Sequence, residues 1–232
     1  MTATSSSTPG MPAAVLPAPR LEPQPDGSVV EADDIPFVTG RFWEEEDTPP
    51  KLRRGDALRG LAIEEVGTRY ALCRDLFEDH ARDVMFGPCI EGAVFELKLS
   101  GPAQLSMLDG YLTVPLEAPS HFHLCIGRHR GLGRNSTPPE LARRRECSRA
   151  SFRRLVHPER GPRSWQLELV NGAGEQMITF FLPSPYLSPA MKPLKVPDWG
   201  RLALWNALRA RYLGEREPQP LPEVFEAGSP CG

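Results

Sequence analysis

No apolar run in this chain approaches the length of a membrane-spanning helix, which sets aside helical membrane proteins. The first 35 residues have neither a basic start nor an unbroken apolar stretch, so no secretory signal is expected. Cysteine is scarce and odd in number, five in all, at spacings that form no disulfide framework. Reduced thiols and a cytoplasmic location are the expectation. Aromatics make up only 8% of the chain and are few within its basic stretch. No nucleic-acid-binding module is recognisable either, so nucleic acid is not an expected partner. No complete catalytic signature is present.

What the chain does have is an uneven charge distribution. Its net charge is only −3, yet residues 128–163 carry eleven arginines against three glutamates. An acidic excess lies upstream (Glu31, Asp33, Asp34, Glu44, Glu45, Glu46, Asp47) around Phe42 and Trp43. Two readings of that segment stand side by side. It is a solvated arm that docks two aromatics, or it covers the basic face of residues 128–163. Proline and serine dominate the start, so residues 1–39 read as a disordered arm and residues 216–232 as a disordered tail. Residues 40–215 are long enough for one core and read as a single domain.

Within 40–215, Asp56 reads as an N-cap. Leu58, Ala62, Val66, Tyr70, Cys73, Phe77 and Ala81 then recur at helical spacing to about Asp83. Period-two alternation follows around Phe95–Leu99, Tyr111–Val114 and 120–126, and again in 165–169 and 176–182. Asn171-Gly172-Ala173-Gly174 punctuates the last two as a hairpin. Thr137-Pro138-Pro139-Glu140 resembles a capping box and predicts an arginine-rich helix over 137–156. A final helix opens at Asp198, packs through Trp199, Leu202, Trp205, Leu208 and Tyr212, and stops at Gly214. The fold class expected is α+β: a mainly antiparallel sheet of about five strands flanked by about three helices.

The chemistry-bearing stretch is His121-Phe122-His123-Leu124-Cys125-Ile126-Gly127. As a strand it sends Phe122, Leu124 and Ile126 to one face and His121, His123 and Cys125 to the other. Histidine and cysteine are transition-metal ligands, so zinc or iron is the cofactor expected. His121 and His123 are the firmest pair. Positions 121 and 125 lie about 13 Å apart along a strand, so one ion cannot readily take all three without a bulge. Cys125 or Glu117 is the favoured third ligand, with Cys89, His129 and Glu175 as rivals. Arg128 and Arg130, on the loop leaving the strand, would orient a small anionic substrate of a metal-dependent enzyme. Two alternatives stay open. One is an interaction or binding module in which the His/Cys strand is structural. The other is a thiol enzyme using Cys125, although Gly131 stands where a phosphatase-type loop needs its arginine.

The stretch 121–127, together with Ser164-Trp165, Asn171 to Gln176 and Pro197-Asp198-Trp199 with Leu204-Trp205, resembles an uncharacterised family of bacterial proteins over roughly residues 85–215. The resemblance implies a domain of about that extent and supplies no chemistry.

Overall fold

The computed structural model describes residues 18–38, 63–132 and 135–214. The Asp56 cap, the first turns of the predicted helix and the Phe42-Trp43 pair lie outside them. Strands and helices mix in an α+β fold, and every strand pair among the described residues is antiparallel.

The chain forms β1 (Arg20–Pro23) and β2 (Val29–Asp34), then α1 (Ile63–Arg74), which continues as a wide turn over Asp75–Asp79. Short strands β3 (Met85–Gly87), β4 (Cys89–Ile90) and β5 (Ala93–Val94) follow. The hairpins β6 (Ser106–Leu108), β7 (Tyr111–Pro115) and β8 (His121–Cys125) come next, then β9 (Gly131–Leu132) and β10 (Asn135–Ser136). After α2 (Pro139–Arg145) run the long strands β11 (Cys147–His157) and β12 (Gly161–Asn171), with β13 (Gln176–Phe181). A 3-10 turn, Trp199–Leu202, leads into α3 (Ala203–Leu213). The main sheet has the order β1-β2-β11-β12-β13-β3, and β6-β7-β8 form a separate three-stranded sheet.

Between the two sheets lies the aromatic centre of the core. Phe77, on the wide turn after α1, meets Phe86 and Phe180 of the main sheet at ring-centroid distances of 5.0 and 5.1 Å. It meets Phe122 of β8 at 5.7 Å. These offset, edge-on contacts suit the ring quadrupoles, and they fasten β8 to the large sheet. The predicted helical stripe is the buried one: Val66, Tyr70, Cys73, Phe77 and Ala81 all face inward. Gly67, at φ 37°, breaks the helix near its start, a conformation that suits a residue without Cβ.

The predicted helix over 137–156 is corrected. Only Pro139–Arg145 is helical; Glu146 turns extended at ψ 138°, and residues 147–157 form the central strand β11. Arginine-rich composition hid a period-two pattern in which Ala150 and Phe152 enter the core. The expected capping box does not form either. Pro138 occupies the cap position without a side-chain hydrogen bond, and the Thr137 hydroxyl is engaged elsewhere.

A second correction concerns the arm. Residues 20–34, read as disordered, are two strands of the main sheet, with β2 paired to β11 from Val29↔Val156 to Asp34↔Ser151. Of the described acidic residues in the upstream excess, Glu31 and Asp34 face Arg154 and Arg149 of the basic stretch, whereas Asp33 pairs with Arg209 outside it. Arg154 grips Glu31 through Nε at 2.8 Å and Nη2 at 2.6 Å, and Arg153 reaches Glu22 at 2.8 Å. Asp34 accepts from Arg20 and Ser151. Charge-assisted, two-pronged contacts of this kind offset the low hydrophobicity of the segment.

Burial opposes ionisation of Glu22, but the hydrogen bonds and charges of Arg153 and Arg20 outweigh it and hold the carboxyl below its ordinary range. Asp34 is held low in the same way, against burial, by Arg20, Ser151 and Arg149. Lowered folded-state values mean that this stability is present above the unfolded carboxylate range of about 4, and is lost as pH falls through the folded values. The expected result is a gap in urea midpoint between wild type and Glu22→Gln/Asp34→Asn at neutral pH. That gap should close as the pH is lowered past about 4. A gap independent of pH would show that the two carboxylates do not anchor the strands by charge.

Asp198 accepts from Gly200 N at 3.1 Å at the start of the last helical segment, and Gly214 ends it in the left-handed region at φ 72°. Both ends fall where the sequence puts them. By contrast, the alternation at Phe95–Leu99 yields only an isolated bridge, Phe86↔Leu97, and Phe95 remains 56% exposed.

Candidate functional site

Strand β8 pairs with β7, from Tyr111↔Cys125 to Pro115↔His121, and among the described residues it is the edge of the small sheet. Phe122 packs onto the core and Leu124 and Ile126 are buried in it, as the alternation requires. The opposite face carries a row of polar rings. His121 and His123 are exposed, with ring centroids 4.9 Å apart. His123 Nδ1 lies 3.0 Å from Oγ1 of its cross-strand partner Thr113. Beyond it, the Tyr111 ring meets His123 at 6.5 Å and His129 at 5.2 Å. Three of the five histidines of the chain therefore follow one another around Tyr111.

Cys125 stands on the same face by alternation but is only 4% exposed, and its Sγ donates to the Gly127 carbonyl at 3.3 Å. Burial pushes its thiol up to about 11, against a hydrogen bond from Tyr111 that pulls the other way. A thiol in that state is protonated at neutral pH, which argues against Cys125 as a nucleophile. Glu117 is exposed in the turn between β7 and β8, where its carbonyl accepts from Ser120 N at 2.8 Å. Among the described residues no three His, Cys, Asp or Glu side chains are grouped closely enough to hold a metal ion. Neither Cys125 nor Glu117 is therefore gathered with the histidine pair as a third ligand. The rivals Cys89, His129 and Glu175 are not gathered with it either. The rise of the strand is the reason for Cys125, which is carried away from His121 towards the Tyr111 end of the sheet.

Arg128 and Arg130 are exposed on the loop leaving β8. The loop itself is held by a residue that sequence reasoning passed over. Asp109, 6% exposed and at φ 49°, occupies the turn between β6 and β7. Its carboxylate accepts from Arg130 N at 3.0 Å and Gly131 N at 2.9 Å, and faces His129 Nε2 at 3.3 Å. On its other side, Nδ1 of His129 lies 3.0 Å from the Thr137 hydroxyl. Asp109 and Thr137 thus flank the His129 ring on the loop. Asp-Gly is a common turn pair, but the partners of Asp109 come from residues 129–131, too far along the chain to be read from it. Gly110 and Gly127 approach so closely that a Cβ on Gly110 would lie 2.6 Å from the Gly127 carbonyl oxygen. Asp109 and the Gly110–Gly127 contact place His129 beside the sheet.

The histidine pair borders a shallow hollow of about 370 Å³, walled by Thr113, Pro115 and the turn residues Ala118 to Ser120. Metal–nitrogen bonds of about 2.0–2.1 Å set a spacing for two imidazoles that share an ion side by side. Their centroids then lie roughly 4.5–5.2 Å apart. The pair falls inside that range. Because Thr113 occupies Nδ1 of His123, Nε2 is the nitrogen left to point outward.

No helix of the described residues is long and apolar enough to cross a membrane. Neither the curated proteins nor the solved structures contain a significant match to the chain. Residues 60–214 do match a family described as Family of unknown function (DUF7676), so the similarity begins earlier than the resemblance around the histidine strand suggests and leaves β1 and β2 outside it. The match covers well over half of the chain, and the protein belongs to that family of unknown function.

Proposed function

We propose that the protein binds a zinc ion through His121 and His123 and presents it to a small anion. The observation that carries this reading is the 4.9 Å spacing of two exposed imidazoles on one strand face. Nitrogen-only ligation favours zinc over iron(II), which binds such donors more weakly. Two protein ligands leave positions for water or an anionic ligand, the arrangement that Lewis-acid chemistry uses. Arg128 and Arg130, exposed on the following loop, are the cations that would draw such an anion.

Titration of tag-free full-length protein with zinc chloride, followed by calorimetry, tests the reading. One ion per chain is expected, with binding lost in His121→Ala/His123→Ala and retained in His129→Ala. Thr113→Val removes only the partner of His123 Nδ1 and is expected to weaken zinc by roughly 10-fold or more. Full zinc stoichiometry in the double variant would remove the proposal. Failure of the wild type to bind would remove it too, and would favour a binding module in which the strand is purely structural.

A further inference from the structure

A second concavity, of about 320 Å³, opens at one end of the main sheet and shares no lining residue with the histidine hollow. Its floor is built by three neighbouring strands. Gln166, Phe181 and Met85 are directly paired across β12, β13 and β3, so their side chains share one face of the sheet. One wall is the proline-rich segment leaving β13, with Leu187, Pro189 and Met191. That segment is braced by its own turn: Ser188 N donates to Lys192 O at 2.8 Å, and Met191 N to Ser188 O at 2.9 Å. The turn holds Met191 at φ 59°, a costly conformation for a residue with a Cβ, and leaves its apolar side chain half exposed.

Charge around this carbon-lined cleft is one-sided. Arg82, Lys98, Arg163 and Arg201 border it, against Asp83 and Glu96. The hydrogen bonds of two of these cations are made through Nε alone. Arg82 Nε donates to Ser100 O at 2.8 Å, and Arg201 Nε to Ser184 O at 3.0 Å. Both guanidinium ends are left without a carboxylate partner among the described residues. Lys98 is exposed and likewise has no ion-pair partner among them. Asp83 already faces His80 at 3.7 Å. Ligand clefts combine a mostly apolar lining with a few convergent polar groups, at volumes from about 300 Å³ upward. This cleft meets both conditions, and its polar groups are predominantly cationic.

We infer that the cleft binds a small amphipathic carboxylate, with its apolar body on Phe181 and Met85 and its charge met by Lys98, Arg82 and Arg201. The inference does not rest on the zinc reading and fails separately from it. Calorimetry on the full-length protein with octanoate, octanol and octylammonium as probes tests it. Octanoate is expected to bind with a dissociation constant below about 1 mM. Octanol is expected to bind at least tenfold more weakly, and octylammonium not at all. Lys98→Gln/Arg201→Gln should weaken octanoate about tenfold and leave octanol unchanged. Lys98→Gln alone, at an exposed side chain with no ion pair among the described residues, should give part of that loss with an unaltered circular dichroism spectrum. Equal binding of octanoate and octanol would overturn the inference, as would wild-type octanoate affinity in the double variant. Absence of octanoate binding at about 1 mM would overturn it as well.

Discussion

Replacing Arg209 by alanine is expected to lower the unfolding free energy by about 3–5 kcal/mol. Arg209, on α3, is only 2% exposed, and its Nη1 lies 2.6 Å from Oδ2 of Asp33 on β2. Its guanidinium also sits over Trp205 at 5.2 Å and Phe152 at 5.6 Å. The cost of the substitution comes less from the attraction lost than from the carboxylate left behind. The Asp33 carboxylate would be left in a largely buried site whose compensating cation had gone. Two urea melts separate these terms. Arg209→Ala should show the full loss, whereas Arg209→Met/Asp33→Asn should recover much of it by removing both charges and keeping the volume. A single-variant loss under about 1 kcal/mol would mean that the pair is screened and contributes no more than a surface contact.

Phe77→Ala is expected to cost a further about 3–5 kcal/mol, the range for truncating a core aromatic. Its ring is the shared neighbour of Phe86, Phe122 and Phe180, so the cavity would open between the two sheets rather than within one. The effect should reach the histidine face. Phe122 lies between His121 and His123 in sequence and is what presses β8 onto the core. Weaker zinc binding in Phe77→Leu, a milder and still folded variant, would report that coupling. Unchanged zinc affinity in that variant would show that β8 holds its geometry through β7 alone.

How much of this was legible depends on how far away the deciding partner sits. The alternation of Phe122, Leu124 and Ile126 against His121, His123 and Cys125 is local, and it placed both faces correctly. So were the aspartate start and glycine stop of the final helix, whose signals act within two or three residues. The separation of Cys125 from the pair also follows from strand rise alone. Residues 20–34 were illegible for the opposite reason. Proline and charge make them look unable to fold, and their carboxylates become assets only against Arg153, Arg154 and Arg209, supplied from far along the chain. The same ignorance of partners turned β11 into a helix, since its three arginines, Arg149, Arg153 and Arg154, fit an exposed helical face as well as a strand under acidic cover. Asp109 shows the limit most plainly. A turn signal announces a left-handed residue, but not that its side chain reaches across to another loop.

The position of β2 in the main sheet also bears on the order in which the molecule assembles. Strands β11, β12 and β13 are consecutive and meet through short connections, so their pairing closes small loops early. Strand β2 is made long before its partner: Asp34 and Ser151 are 117 positions apart, and Asp33 and Arg209 are 176 apart. Strand β2 therefore leaves the ribosome well before the partner on which it docks. Until it docks, one flank of β11 presents unpaired backbone and a bank of arginines, and mutual repulsion among those arginines keeps that flank from pairing with another chain.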